Sequence, residues 1–147
     1  MTRAFITGIT GQDGSYLTER LLDEGVEVHG LVHIDEPLPD LPGIELHHGD
    51  LTLVDDVRGV LLDLAPDEIY NLAAVSSVAR SWAEPDLTAR VNGMAAVALM
   101  ESAFQLQEKH GRTVRFVQAS SAEIFGEPAE TPQTEASAIR PVNPYGA

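Results

Sequence analysis

The chain has 147 residues with 23 acidic and 9 basic side chains, a formal charge of −14 and 44% hydrophobic residues. These values are typical of one globular domain, and the acidic balance argues against binding to nucleic acids or anionic membranes, which requires clustered Lys and Arg. The absence of Cys excludes disulfides, thiolate metal ligands and a Cys nucleophile, and the sequence predicts no metal site. Because the apolar runs are too short to span a bilayer and the start does not resemble a signal peptide, we expect a soluble cytoplasmic protein.

The first half of the chain alternates between strand and helix patterns. An apolar run that stops at Gly8 is typical of a strand buried on both faces of a parallel sheet, and apolar residues then recur at helical spacing. The predicted elements are a strand over Arg3–Thr7, a helix through Tyr16–Leu22 with Gly25 as its C-cap, strands over Val26–Val32 and Ile44–His48, and a helix over Val54–Leu64.

The second half continues this alternation. The predicted elements are strands over Glu68–Ala74 and Val114–Ala119, a long helix over Leu87–Gln107, and a proline-spaced loop over Glu127–Pro144. Strands that alternate with helices indicate βαβ units, so we expect an α/β fold with a Rossmann-type doubly wound parallel sheet. Ligands of such sheets bind at the carboxyl ends of the strands, and the loops there are the candidate site.

The turn between the first strand and the first helix has glycines at positions 8, 11 and 14. Glycines there allow a tight turn and a close approach of the backbone to a pyrophosphate, while the helix N-terminus supplies free N–H groups and a partial positive charge. The candidate nucleotide-binding residues of this segment are Gly8, Thr10, Gly11, Gln12, Asp13 and Gly14. The alternative is a glycine turn that only packs the strand against the helix.

Polar residues after the second and third strands are candidates for the ribose and adenine of a dinucleotide. Asp35 either accepts a hydrogen bond from a ribose 2′-hydroxyl, as in NAD sites, or is a solvated loop acid. His33 either contacts a phosphate or lies at the rim, and Asp50 either accepts from the adenine amino group or caps the following segment. Further candidates lie after the third strand and at or after the end of the fourth: Leu51, Leu72, Ala73, Ala74 and Ser76.

Two hydroxyls and a carboxylate follow the fifth strand at Ser120, Ser121 and Glu123, where they are costly unless hydrogen-bonded or used. Together with Tyr145 they suggest carbinol oxidation, in which a tyrosinate takes the hydroxyl proton and hydride leaves to a nicotinamide. That step does not need Glu123, but a base beside a new ketone can remove the acidified α-proton. The alternatives are a turn-capping Ser, a surface Glu and a packing Tyr.

These segments together resemble the extended short-chain dehydrogenase/reductase superfamily and, within it, the GDP-mannose 4,6-dehydratase family. The resemblance is carried, in chain order, by Thr7-Gly-Ile-Thr-Gly-Gln-Asp-Gly-Ser-Tyr-Leu17, Val28-His-Gly30, His48-Gly-Asp-Leu51, Ile69-Tyr-Asn-Leu72, Gln118-Ala-Ser-Ser-Ala-Glu123 and Pro144-Tyr-Gly-Ala147. It implies bound NADP(H) and a lyase reaction that converts GDP-mannose to GDP-4-keto-6-deoxy-mannose without net redox change. By motif position it also implies that Tyr145 is the base at O4, Glu123 the acid/base at C5, and Ser121 (where the family usually has Thr) the hydrogen-bond partner of O4.

Two departures from the family pattern leave other interpretations open. His33-Ile34 stands where the family has an Arg pair that reads a 2′-phosphate, and Asp35 repels that group, which suggests NAD instead of NADP. The segment Ala74–Trp82 looks more like the GDP-4-keto-6-deoxy-mannose reductases. A reductase or nucleotide-sugar epimerase of the same superfamily is therefore the second hypothesis.

The family's catalytic Lys would lie four residues after Tyr145, beyond Ala147. We therefore expect residues 1–147 to form an NAD(P)-binding Rossmann domain, truncated just after the catalytic Tyr and without the C-terminal substrate-binding part. A catalytically incomplete nucleotide-binding fragment is the third hypothesis. The resemblance further implies a GDP-sugar as the binding partner and a homo-oligomer for the full-length protein.

Overall fold

Five parallel strands form the sheet of this computed structural model, which describes residues 1–147. They are β1 (Arg3–Thr7), β2 (Glu27–His33), β3 (Ile44–Gly49), β4 (Glu68–Asn71) and β5 (Arg115–Gln118). The strand order is β3-β2-β1-β4-β5, so the direction of winding changes at β1. The register pairs Thr7 with Asn71 and Asn71 with Gln118, which aligns the carboxyl ends of β1, β4 and β5 at the same end of the sheet.

Helices cover both faces of the sheet. They are α1 (Gln12–Asp23), α2 (Val54–Leu64), α3 (Val78–Ala83), α4 (Pro85–Thr88) and α5 (Ala95–His110), with a π-helical segment at Ala89–Met94 that joins α4 to α5 and a 3₁₀ turn at Ala122–Phe125. Apolar residues of α1 pack on one face with Ile6 and Val28, and those of α2 and α5 pack on the other with Phe5. The doubly wound α/β fold predicted from the sequence is confirmed. None of the helices is both long and apolar enough to cross a membrane.

The predicted bounds agree with most of the structure. β1 and α2 have the predicted residues, β3 is one residue longer at its end, and β2 and β5 differ from prediction by one residue at each end. Gly25 follows α1 with a φ of +74°, the left-handed conformation of a C-cap glycine, and its N–H donates to the carbonyl of Leu22. These elements are specified by local patterns that the fold does not override.

The fourth strand is shorter than predicted and ends at Asn71 instead of Ala74. The N–H groups of Leu72 and Ala73 bond to the carbonyl and the hydroxyl oxygen of Thr7, respectively, at 3.2 and 3.1 Å. These two bonds turn the chain over the end of β1. The prediction failed here because the turn depends on a contact with a distant strand.

The helical region after β4 also differs from prediction. The long helix begins at Pro85 and ends at His110, and it contains the π-helical segment, whereas the sequence predicts Leu87–Gln107. The short helix α3 is not predicted by the sequence; the Ser77 hydroxyl caps it by accepting the N–H of Arg80.

Candidate functional site

A row of polar side chains joins the carboxyl ends of three strands. The Thr7 hydroxyl donates to Asn71 Oδ1 at 2.5 Å, and Asn71 Nδ2 donates to Gln118 Oε1 at 2.7 Å. Thr7 and Asn71 are fully buried, so their hydrogen bonds satisfy groups that have no access to water. We call Thr7, Asn71 and Gln118 the polar ladder. It fixes the loops after β1, β4 and β5 relative to one another.

The glycine turn (Gly8–Gly14) leaves the start of α1 open to a ligand. Gly8 has a φ of +71°, and a Cβ on it would lie 2.8 Å from the backbone nitrogen of Ala73. Gly11 precedes α1 without any side-chain cap, and Thr10 to Asp13 are exposed while Gly14 is buried. The first N–H groups of α1 therefore receive no cap from a side chain. They lie beside a turn in which two main-chain segments pack closely together.

Three polar side chains meet where β2 and β3 end. The Asp35 N–H donates to His33 Nδ1 at 3.3 Å, and His33 Nε2 lies 4.0 Å from a carboxylate oxygen of Asp50. Asp50 Oδ1 accepts the Thr52 N–H at 2.7 Å, and this bond holds the pKa of Asp50 below its usual value. Asp50 thus forms a local turn before α2, while its other oxygen faces His33. The Asp35 carboxylate is 87% exposed and free to meet a ligand.

Leu51 and the residues after β4 also lie at this end of the sheet, and several of them can offer a ligand mainly their main-chain atoms. The Leu51 side chain is buried in the core under α2, and Leu72 and Ala73 pack partly into the two apolar clusters. Ala74 and Ser76 are exposed. Any contact of Leu51 with a ligand is therefore left to its main chain.

Asn92 clamps the loop that follows β4. Its Oδ1 accepts the Val75 N–H at 2.8 Å, and its Nδ2 donates to the Val75 carbonyl at 3.2 Å. Asn92 belongs to the π-helical segment, a type of distortion that often lies at functional sites. The sequence motifs do not identify Asn92 as a residue of this site. The one indication in the sequence is that an Asn lies inside a predicted helix, where its side chain competes with the backbone for hydrogen bonds.

The three candidate catalytic residues come from two segments that pack together. Ser121 begins the 3₁₀ turn, and its hydroxyl accepts the Glu123 N–H at 3.2 Å. Glu123 Oε2 accepts a hydrogen bond from Asn143 Nδ2 at 2.6 Å, and Asn143 Oδ1 accepts the Gly146 N–H at 2.8 Å. A Cβ on Gly146 would lie 2.4 Å from the Glu123 carbonyl, so the main chain beside Tyr145 is pressed against Glu123.

The candidate residues lie at or after the carboxyl ends of strands, or in the segment around Tyr145 that packs against Glu123. The structure brings Glu123 next to the Tyr145 segment, and it brings His33, Asp35 and Asp50 together at the β2–β3 end. Asn143 was missed as a site residue, although its place before Pro144 and Tyr145 was a visible signal. The arrangement offers a helix start with free N–H groups, a cluster of polar side chains at the ends of β2 and β3, and a hydrogen-bonded carboxylate beside the segment that carries Tyr145.

Comparison with known proteins identifies one family along nearly the whole chain. The family described as GDP-mannose 4,6 dehydratase matches residues 5–147. The chain is 41% identical over 158 residues to GDP-mannose 4,6 dehydratase 1 of Arabidopsis thaliana, covering 98% of this chain and 44% of the plant protein. It is 42% identical over 156 residues to the GDP-mannose 4,6-dehydratase of Vibrio cholerae, covering 97% and 41%, respectively. The chain thus spans less than half the length of these relatives.

Solved structures share the fold. The Bordetella bronchiseptica enzyme WbmH in complex with NAD+ matches with a TM-score of 0.82 at 26% identity, over 99% of this chain and 48% of that one. The UDP-Glc/GlcNAc 4-epimerase of Campylobacter jejuni matches with a TM-score of 0.85 at 23% identity, over 99% and 45%. At this identity the second likeness shows the fold alone.

Proposed function

Because the chain belongs to the GDP-mannose 4,6 dehydratase family, we propose that the whole protein converts GDP-mannose to GDP-4-keto-6-deoxy-mannose and water. Residues 1–147 are the cofactor-binding part in this proposal, since the relatives are more than twice as long. The substrate-binding part then corresponds to the C-terminal half of the relatives. We also propose, from the family resemblance, that the full-length protein is a homo-oligomer.

The cofactor proposed for the carboxyl end of the sheet is a nicotinamide dinucleotide, as bound by WbmH. The glycine turn fits its pyrophosphate, because Gly11 provides no side-chain cap and the start of α1 is exposed. When bound, the nicotinamide accepts a hydride from the sugar and later returns it. The net charge of −14 does not oppose this binding, because the donors are backbone N–H groups close to the phosphates.

We propose NAD instead of NADP as the preferred form, from the charges around the β2–β3 end. No Lys or Arg lies between Arg20 and Arg58, and the carboxylates of Asp35 and Asp50 flank His33. A 2′-phosphate placed there meets like charge without a compensating cation. Replacing Asp35 with Ser should therefore raise the affinity for NADP by roughly tenfold while NAD affinity falls. Asp40→Ser, in the same exposed loop, is the matched control, and equal NADP affinity in both variants would contradict the assignment.

The proton transfers are assigned to this chain's own side chains. The Tyr145 phenolate accepts the proton of the sugar O4 hydroxyl, and the Ser121 hydroxyl hydrogen-bonds the same oxygen. Glu123 then removes the proton at C5, which the neighbouring C4 ketone has acidified, and the hydroxyl at C6 leaves as water. The proton that Glu123 takes from C5 leaves with the C6 hydroxyl as water. When hydride returns to C6, C5 regains a proton, the one that Tyr145 took from O4, so only water is lost.

The observation that carries this proposal is the position of Glu123. A simple alcohol dehydrogenation needs no carboxylate at this point, yet Asn143 holds Glu123 Oε2 at 2.6 Å and Gly146 packs on its backbone. The carboxylate is thereby oriented beside the segment that bears Tyr145. A carboxylate held beside the segment that carries the proposed O4 base supports its role in removing the C5 proton.

The direct test is to incubate the full-length protein with GDP-mannose and to follow the loss of water by mass spectrometry. Glu123→Gln should retain dinucleotide and GDP-mannose binding but lower the dehydration rate by about 10²–10⁴-fold, the usual contribution of a general base. Glu127→Gln, which changes an exposed acid of the same loop, is the control and should keep the rate. A dehydratase consumes no reduced cofactor, so stoichiometric NAD(P)H oxidation would instead identify a reductase.

A further inference from the structure

Two histidines on neighbouring strands form a cluster that the proposed reaction does not use. The register pairs His29 of β2 with Glu45 of β3 and Leu31 with His47, which places His29, Glu45 and His47 on the same face of the sheet. The imidazoles of His29 and His47 are stacked, with ring centroids 5.3 Å apart and planes 23° from parallel. His29 Nδ1 lies 3.0 Å from His47 Nε2. We call His29, Glu45 and His47 the histidine cluster.

The proton positions in this cluster follow from its neighbours. His29 Nε2 lies 2.9 Å from Glu27 Oε1, and a carboxylate can only accept a hydrogen bond, so the proton of the neutral ring is on Nε2. The lone pair of His29 Nδ1 therefore points towards His47. Arg3 holds Glu27 in place, with its Nε 2.8 Å from Oε1 and its Nη2 3.3 Å from Oε2.

The surroundings of both rings suit a metal ion. The His47 side chain is 22% exposed, and its Nε2 is turned towards His29. His29 is 2% exposed, and its far nitrogen donates to a carboxylate, the arrangement that commonly orients a histidine bound to a metal. Glu45 is 69% exposed, so its carboxylate can adjust its position.

We propose that His29 Nδ1, His47 Nε2 and the Glu45 carboxylate bind a divalent transition metal ion of the Zn²⁺ type. Zn²⁺ bonds of about 2.0–2.2 Å in a tetrahedron place pairs of ligand atoms about 3.4 Å apart. The two nitrogens are 3.0 Å apart, and the Glu45 oxygens lie 3.9 Å from His29 Nδ1 and 4.0 Å from His47 Nε2. The distances differ from these values by about half an ångström, and both rings must also turn so that their lone pairs meet at the ion in place of the direct contact between the two nitrogens; water takes the fourth position. On binding, the His47 proton moves from Nε2 to Nδ1, so that both coordinating nitrogens present lone pairs.

This position lies apart from the candidate dinucleotide site. His29 is four residues before the end of β2 at His33, a distance of roughly 13 Å along the strand. The connection from β2 to β3 contains no helix, and β3 is the edge strand of the sheet. A metal ion bound there would link the edge strand directly to β2. The expected effect is therefore on the stability of this edge, and it does not depend on the proposed reaction.

The test uses the purified protein after treatment with a chelator. Zn²⁺ titration by calorimetry should show one equivalent bound, and Co²⁺ in its place should give the visible absorption of a tetrahedral site. Added Zn²⁺ should also raise the melting temperature, because it binds the folded state. These measurements need neither substrate nor dinucleotide, so they are separate from the test of the dehydratase proposal.

Substitutions locate the ion. Glu45→Gln and His47→Gln should each weaken Zn²⁺ binding by at least tenfold and remove the cobalt spectrum, and Glu27→Gln should weaken binding by about 10–100-fold although it contributes no ligand. His48→Gln is the matched control, because this neighbour on the same strand is exposed and bonds to the carbonyl of Glu36. Glu45 is exposed, so its variant should fold even if a change at the buried His29 prevents folding.

Several outcomes would overturn the proposal. One is the absence of stoichiometric Zn²⁺ binding to a chelator-treated, folded protein. Another is binding that persists unchanged in both Glu45→Gln and His47→Gln, which would indicate weak association with surface acids only. A third is equal loss of binding in His48→Gln, which would place the ion elsewhere.

Discussion

Replacing Gly14 with Ala tests whether the glycine turn is built by close backbone packing. Gly14 is buried in the first turn of α1, and a Cβ on it would lie 2.2 Å from the Gly8 carbonyl oxygen and 2.8 Å from the Ile9 Cα. The shorter of these distances is about 1.2 Å less than an ordinary contact of 3.4 Å. Both obstacles are main-chain atoms that no side-chain rotation can remove. The start of α1 must therefore move away from the turn by about an ångström.

The size of the effect follows from two opposing contributions. Gly→Ala inside a helix normally stabilises a protein by about 0.5–1 kcal/mol, because the unfolded chain loses conformational freedom. Overpacking of a tight contact costs about 1–3 kcal/mol, and here the contact is with backbone. We expect a net loss of about 1–2 kcal/mol in the free energy of unfolding. Displaced N–H groups should also weaken dinucleotide binding by at least about tenfold, the equivalent of one charge-assisted hydrogen bond.

The assay compares Gly14→Ala with Gly59→Ala by urea unfolding and by calorimetric titration with NAD. Gly59 is in the middle of α2 and exposed, and a Cβ on it would have no atom within 4 Å, so alanine there should stabilise the protein by about 0.5–1 kcal/mol. If Gly14→Ala were as stable as Gly59→Ala and bound NAD with unchanged affinity, the close-packing argument would be refuted. If Gly14→Ala were less stable but bound NAD with unchanged affinity, the close packing would support only the fold and not the binding of NAD.

Three further predictions concern other contacts. Asn143→Ala should lower the dehydration rate of the full-length protein about 10–100-fold with little change in KM, because Glu123 loses a hydrogen bond that orients it; a loss confined to KM would argue against this. Asn92→Ala should lower the free energy of unfolding by about 1–3 kcal/mol in urea, because the Val75 N–H loses its partner. Burial and a carboxylate neighbour raise the pKa of Tyr70 to about 12. The folded state therefore favours the neutral phenol, so stability should fall as the pH rises from about 10 to 12, and urea midpoints of Tyr70→Phe should lack this slope.

Local patterns in the sequence are sufficient for the elements that a single segment specifies. β1 is a short apolar run, and α2 carries an apolar stripe at helical spacing, so both are predicted with their observed bounds. The glycine turn is recognisable because its position between a strand and a helix is itself part of the signal. These features need no knowledge of what packs against them.

Features that depend on distant contacts are not predictable in this way. The early end of β4 depends on Thr7, and the clamp made by Asn92 depends on Val75, which lies 17 residues earlier in the chain, before α3 and α4. The stacking of His29 on His47 depends on the register of β2 and β3, and a shift of one residue would move one ring to the other face. The sequence shows the residue types in these cases, but only the pairing of strands and helices makes them neighbours.

The same distant contacts connect the two ends of the candidate site. The glycine turn rests on the chain after β4, because a Cβ on Gly8 would lie 2.8 Å from the Ala73 nitrogen. Asn71 joins β4 to β5 through Gln118, and the chain after β5 leads directly to Ser121 and Glu123. These hydrogen bonds and main-chain contacts hold the glycine turn and Glu123 at the same end of the sheet. The arrangement suits a reaction in which hydride leaves and returns within one bound sugar, because that reaction needs the dinucleotide and the proton-transferring carboxylate in fixed relative positions.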